Sequence, residues 1–144
     1  MNKYALLFPG QGSQSLGMLN SIKDLKITKE IFQITSDKLG VDLIELTING
    51  DEKSLSDTKI TQPLMLSTNY VFLKIFQENF NIEPSLIIGH SLGEYSALLA
   101  SNILSFEDAV NIVIERSVAM SDSVDGIKTG ISAVLGLDLI TVEN

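Results

Sequence analysis

The chain has 144 residues, enough for one domain with a hydrophobic core, and its 44% hydrophobic and 19% charged content is typical of a globular protein. It contains no cysteine and one histidine, which excludes disulfides, thiolate metal sites and cysteine nucleophiles and leaves no metal site expected. The net charge of −8, without a cluster of Lys and Arg, argues against nucleic-acid binding. Because no apolar run reaches membrane-spanning length and no signal peptide is visible, we expect a soluble cytoplasmic protein with no membrane role.

The N-terminal segment predicts a strand followed by a glycine-rich loop. Tyr4 to Phe8 is apolar and is bounded by Pro9-Gly10, so we expect a buried strand. The loop over residues 9–14 matches neither a phosphate-binding loop nor the dinucleotide fingerprint. A tight loop after a strand is where hydrolase-like sheets place a second oxyanion donor, although a flexible turn explains its composition equally well.

The middle of the chain predicts helices. Residues 27–40 have apolar positions at helical spacing and end in a glycine, and residues 42–48 form a weaker helical or extended piece before a turn at 49–51. Thr61-Gln62-Pro63 then opens a strongly apolar helix to about Phe80, because proline is tolerated in a first helical turn. Apolar residues surround this helix almost completely, which indicates burial against a sheet.

Residues 85–96, Ser-Leu-Ile-Ile-Gly-His-Ser-Leu-Gly-Glu-Tyr-Ser, carry the strongest functional signal. A short apolar strand ends at Gly89, Ser91 follows, and helical spacing begins after Gly93, which is the context of a nucleophile elbow. The serine of an elbow sits on a strained turn, and the flanking glycines let strand and helix approach closely. The amide of Leu92 would then lie at a helix N-terminus and could face a developing oxyanion. A strand-to-helix turn of small residues without chemistry is the alternative.

The C-terminal part predicts a capped helix and a further strand. Residues 105–108, Ser-Phe-Glu-Asp, form a capping box that starts a helix through about Met120, and this helix carries Arg116. A polar linker over 122–130 leads to a new short strand at Ile131–Leu135 and a turn at the following glycine.

A serine nucleophile needs a base, which in enzymes is most often histidine. His90 is the one histidine of the sequence, and it adjoins Ser91 on a sharp turn, where neighbouring side chains point in different directions. We therefore expect His90 to pack or to form hydrogen bonds near the site, not to act as the general base. Either the base lies in another part of the protein or partner, or the chain is not a working enzyme.

Four motifs together resemble the malonyl-CoA:acyl carrier protein transacylases of fatty acid synthesis and the acyltransferase domains of polyketide and animal-type fatty acid synthases. They occur in family order from Leu6 to about Leu137 and are Leu7-Phe-Pro-Gly-Gln-Gly-Ser-Gln14, Thr61-Gln-Pro63, Gly89-His-Ser-Leu-Gly-Glu-Tyr-Ser96 and Arg116.

The resemblance implies an α/β fold: part of an α/β-hydrolase-like large subdomain with a parallel sheet over residues 1–127, then the first strand of a ferredoxin-like small subdomain over 128–144. It implies a malonyl group passed from malonyl-CoA, through an acyl-serine, to the phosphopantetheine thiol of acyl carrier protein. Ser91 would be the nucleophile, and the amides of Gln11 and Leu92 would form the oxyanion hole. Arg116 would hold the malonyl carboxylate, a task that suits a forked, permanently charged donor. No bound cofactor is implied.

The family's catalytic histidine lies far downstream in chains about twice as long. We therefore interpret this chain as an N-terminal piece of a transacylase, which would be either a truncated product or one half of a split assembly. We do not expect it to be active alone. Two other hypotheses stay open. One is an esterase or thioesterase of related fold, for which a carboxylate-binding Arg116 has no purpose. The other is a non-catalytic module that binds carrier protein, CoA or a complementary chain.

Overall fold

The computed structural model describes residues 4–128 and 134–143, with only the main chain at Leu139 and Glu143. Two parallel strands, β1 (Ala5–Phe8) and β2 (Leu86–Gly89), pair in register from Ala5 opposite Leu86 to Phe8 opposite Gly89. Because parallel strands need a crossover, the chain leaves the sheet after Phe8 and returns to it at Leu86 through a helical layer. That crossover comprises α1 (Lys26–Leu39), α2 (Leu43–Asn49), α3 (Glu52–Leu55) and α4 (Thr58–Asn79).

Among the described residues, three helices follow β2: α5 (Gly93–Ala100), α6 (Phe106–Asp122) and the short α7 (Leu139–Glu143). The predicted capping box is present, since the Asp108 amide donates to Ser105 Oγ at 3.2 Å and that hydroxyl donates to the Asp108 carboxylate at 2.6 Å. The strand predicted at Ile131–Leu135 falls largely on residues 129–133, which lie outside the described residues, and residues 134 and 135 form no helix or strand.

The core lies between α4 and the helices around it. α4 packs against α1, α5 and α6. Every residue from Thr61 to Asn69 is buried, including five polar ones, which agrees with the burial predicted for this helix. The buried hydrophobic cluster draws on every helix from α1 to α6 and includes Leu19, Phe32, Leu43, Leu55, Leu64, Leu66, Val71, Leu92, Leu99, Val110 and Val113.

Three predictions for the crossover and first strand need correction. α4 begins at Thr58 because the Asp57 carboxylate caps it, accepting from the Lys59 amide at 2.9 Å, so Pro63 lies inside the helix and not in its first turn. Its main neighbours are helices, not the sheet. The first strand is not fully buried, since Leu7 on one sheet face is 70% exposed.

That sheet face is apolar. Leu7 and Ile88 are paired across the strands and the side chains of Leu86 and Ile88 are 54% and 44% exposed. Parallel sheets in proteins are ordinarily covered on both faces. Within the described ranges, no helix is long and apolar enough to cross a membrane.

Candidate active site

Ser91 lies in the tight turn between β2 and α5. Its φ of 53° is in the left-handed region, which non-glycine residues rarely occupy. A Cβ on Gly89 would overlap the main chain of Gly93, and a Cβ on Gly93 would lie 3.0 Å from the Pro9 carbonyl oxygen and closer still to that of Phe8. Glycine is therefore required at both positions, and the predicted strand–turn–helix arrangement is present.

The loop after β1 meets this turn at one edge of the sheet. The strands end side by side, with Phe8 opposite Gly89, so Gln11 and Ser91 follow neighbouring strand ends. The contact between the two segments is close, because a Cβ on Gly10 would lie 2.7 Å from the His90 carbonyl oxygen.

The main-chain amides of Gln11 and Leu92 form no hydrogen bond within the part of the chain that the structure describes. Leu92 is the N-cap residue of α5, so its amide belongs to the free NH groups of that helix N-terminus. Two free NH groups on adjoining segments, one of them on the residue after the serine, are the kind of groups from which an oxyanion hole is built.

Arg116 reaches Ser91 from α6. Its Nη2 donates to Ser91 Oγ at 3.0 Å, and its Nη1 donates to Gln62 Oε1 on α4. The guanidinium also lies over the Tyr95 ring, with Cζ 5.7 Å from the ring centroid. None of the ion pairs among the described residues includes Arg116, so neutral groups hold a positive charge beside the serine. Such a guanidinium can accept an incoming carboxylate in a forked pair.

His90 is exposed, and no hydrogen bond joins its ring to Ser91 in the described ranges. The hydroxyl of Ser91 instead accepts a hydrogen bond from the Arg116 guanidinium, which is permanently charged and cannot take the hydroxyl proton. The structure thus brings together the four residues singled out from the sequence, Ser91, Leu92, Gln11 and Arg116, at or beside one turn, and among the described residues no base is hydrogen-bonded to Ser91 Oγ.

Two buried amides at the site were not assigned a task by sequence reasoning. Gln62, 1% exposed, accepts from Arg116 and donates through Nε2 to Met120 Sδ at 3.3 Å. Asn69, 5% exposed, donates to the Pro9 carbonyl and to Ser96 Oγ. The available signal was the presence of two amides in an otherwise apolar helical segment, since a buried amide needs partners.

Other features of the described residues offer no competing site. No group of three or more histidine and carboxylate side chains there could hold a metal ion. An open cavity of about 550 Å³ between α1 and α2, lined by residues such as Phe32, Gln33 and Val41, contains none of the site residues.

The chain is similar to known acyltransferases over nearly all its length. The family model for the acyl transferase domain matches residues 5–136. The malonyl CoA-acyl carrier protein transacylase of Salmonella typhimurium is 41% identical over 139 residues, which cover 96% of this chain and 45% of that protein. The chain therefore spans about half the length of the curated relatives it matches.

Solved structures agree with this similarity. The acyl-carrier-protein S-malonyltransferase of Burkholderia pseudomallei has a TM-score of 0.83 and 40% identity, covering 98% of this chain and 46% of that one. A malonyl-transacylase in complex with a type II PKS acyl carrier protein has a TM-score of 0.79 and 39% identity, covering 85% of this chain and 40% of that one. These likenesses bear out the α/β fold with a parallel sheet, and with the match over residues 5–136 they show that the chain belongs to the acyl transferase domain family.

Proposed function

We propose that this chain provides the acyl-accepting half of a malonyl-CoA:acyl carrier protein transacylase site, serving fatty acid synthesis. The observation that carries the proposal is the Arg116 guanidinium, which contacts Ser91 Oγ at 3.0 Å and has no carboxylate partner among the described residues. A plain ester or thioester offers such a cation nothing to bind, whereas a malonyl thioester carries a carboxylate one methylene from its reacting carbonyl.

The proposed reaction has two transfers. Ser91 Oγ attacks the thioester carbonyl of malonyl-CoA, its hydroxyl proton passes to a base, and the C–S bond breaks to release CoA, whose sulfur regains a proton. The phosphopantetheine thiol of acyl carrier protein then attacks the malonyl-serine ester and regenerates the hydroxyl. The amides of Gln11 and Leu92 stabilise the oxyanion in both steps. Arg116 leaves Ser91 Oγ to pair with the malonyl carboxylate, and Gln62 and Tyr95 keep the guanidinium over the site.

The base is proposed to come from outside these residues, supplied by a complementary segment or chain that contacts the exposed side of Ser91. Residues 1–127 would form part of the hydrolase-like subdomain and 128–144 the start of the ferredoxin-like one. No resident cofactor takes part in the proposed reaction. The cytoplasmic location stays a prediction from the sequence.

Mass spectrometry after incubation with malonyl-CoA tests the proposal. We expect a malonyl adduct on the peptide that contains Ser91, formed faster as pH rises because hydroxide partly replaces the base, and absent in Ser91→Ala.

Arg116→Gln removes a charge-assisted pair worth about 2 kcal/mol, so it should weaken malonyl-CoA binding about thirtyfold and leave acetyl-CoA binding unchanged. Lys26→Gln, which removes an exposed cation paired with Glu30 on α1, is the matched control.

Ser91 Oγ has no hydrogen bond to a base in the part of the chain that the structure describes, which favours a second candidate function, a non-catalytic module that binds carrier protein or a complementary chain. Binding of malonyl-CoA through Arg116 without an adduct at any pH would support this candidate and contradict acyl transfer. Release of free malonate that outpaces transfer to a carrier thiol would indicate a thioesterase instead.

A further inference from the structure

Asn69 is a buried side chain that connects the loop after β1, which carries Gln11, to helix α5, which follows Leu92. It lies on α4, 5% exposed, and its Nδ2 donates to the Pro9 carbonyl at 3.1 Å and to Ser96 Oγ at 3.0 Å. The Pro9 carbonyl leads into the loop that carries Gln11. Ser96, 1% exposed, lies on α5, one helical turn from Leu92. One amide group therefore binds both loop and helix.

The chemistry of the partners fixes the orientation of this amide. A carbonyl oxygen only accepts hydrogen bonds, so the NH₂ group of Asn69, not its oxygen, must face Pro9. Its two hydrogens then match the two acceptors. Such a buried bridge is directional, and replacement by an apolar residue leaves the Pro9 carbonyl without this donor.

The loop needs such a tether. Gly10 and Gly12 bracket Gln11, and Gly12 adopts φ of 105°, so the backbone has little intrinsic preference for one conformation. The Gln11 side chain donates to Thr58 Oγ1 at 3.1 Å, but that contact is exposed. The Asn69 bond to Pro9 is the part-buried contact that connects this loop to α4.

We propose that Asn69 is a positioning residue for the oxyanion hole: it fixes the start of the Gln11 loop, at the Pro9 carbonyl, against α5, whose N-cap residue is Leu92, and so sets the separation of the two free amides. This inference rests on the proposed function for its meaning in catalysis. An amide donor acts on an oxyanion only at hydrogen-bond distance, so small displacements of Gln11 reduce the rate more than they reduce substrate binding.

Two variants of the ¹⁵N-labelled chain test the proposal. Asn69→Leu keeps the number and branching of the side-chain heavy atoms and removes both donors, and Asn69→Ala provides the same test if the larger leucine does not fit. The matched control is Thr68→Val on the same helix, which removes a buried hydrogen bond from Thr68 Oγ1 to the Leu64 carbonyl at 2.9 Å, a bond that involves neither the loop nor α5.

The first readout is the heteronuclear NOE of the Gln11 amide, which does not depend on activity. We expect it to fall in both Asn69 variants and to stay at the native value in Thr68→Val. An unchanged Gln11 NOE in an Asn69 variant that is folded would overturn the inference, whatever the acylation rate.

The second readout is the initial rate of Ser91 malonylation against malonyl-CoA concentration. We expect the saturating rate to fall about tenfold in the Asn69 variants with an unchanged half-saturating concentration. A merely structural Asn69 would lower stability, as Thr68→Val does, and leave this rate unchanged, which also contradicts the proposal. If the native chain gives no adduct even at high pH, where hydroxide can replace the base, the proposed acyl transfer fails, and the NOE comparison still decides whether Asn69 positions the loop.

Discussion

Gly93→Ala places a methyl group where α5 meets the end of β1. The new Cβ would lie 2.9 Å from the Phe8 carbonyl carbon and 3.0 Å from the Pro9 carbonyl oxygen, with the Phe8 oxygen nearer still. These are main-chain atoms, and Phe8 O already accepts from the His90 amide at 3.1 Å, so they cannot move aside as a flexible side chain would. Strand and helix must separate instead.

The magnitude follows from two opposing effects. Overpacking of this kind destabilises by about 1–3 kcal/mol. Alanine in place of a helical glycine stabilises by about 0.5–1 kcal/mol, and less at a first helical position such as Gly93. The steric effect wins, and we expect a net loss of about 2 kcal/mol.

Urea unfolding followed by circular dichroism measures this loss. With a slope of about 2 kcal/mol per M, the midpoint should fall by about 1 M. Gly40→Ala is the control, because its Cβ meets nothing within 4 Å and only the left-handed φ of 66° is unfavourable, at roughly 1 kcal/mol. A Gly93→Ala chain as stable as the native one would refute the reasoning that the elbow requires this glycine.

Two further predictions concern stability. Thr28 Oγ1 is buried with no hydrogen-bond partner among the described residues, so Thr28→Val should raise the free energy of unfolding by up to about 1 kcal/mol in the same urea titration. Thr35→Val is the control, because it loses the 2.8 Å hydrogen bond to Ser67 Oγ and should lower the free energy of unfolding by about the same amount. Hydrogen bonds from the Ser54 amide and hydroxyl lower the pKa of Asp51 below its ordinary value of 3.8. A carboxyl group whose pKa is lowered by folding stabilises the fold above its unfolded-state pKa, and this stabilisation is lost as pH falls. Asp51→Asn should therefore make the free energy of unfolding less sensitive to acid below about pH 5. An unchanged pH profile would contradict this.

Local sequence signals predicted the elements whose determinants are themselves local. The first strand, the end of α1 at Gly40, the capping box at Ser105 and the glycines around Ser91 all depend on neighbours within a few residues. The start of α4 differs from the prediction because Asp57 caps the helix, whereas the preference of proline for a first helical turn places the start at Thr61.

The contacts that complete the site are long-range. Gln62 meets Arg116 from 54 positions away, and Asn69 meets Pro9 from 60. A pattern read along the chain shows that such amides are unusual in an apolar helix, but it cannot identify their partners. The exposure of Leu7 has the same origin, because a short apolar run shows what a strand can bury and not what covers it.

The positive φ at Ser91 limits which side chain can deliver the attacking atom. Threonine carries the same hydroxyl, but residues branched at Cβ rarely adopt the left-handed backbone conformation. Ser91→Thr should therefore strain the main chain, although the two side chains are chemically similar. Cysteine, unbranched and close in size, fits the same geometry. Backbone conformation, before any question of acidity or reactivity, thus decides that the choice of reacting group at this turn lies between oxygen and sulfur on an unbranched stem.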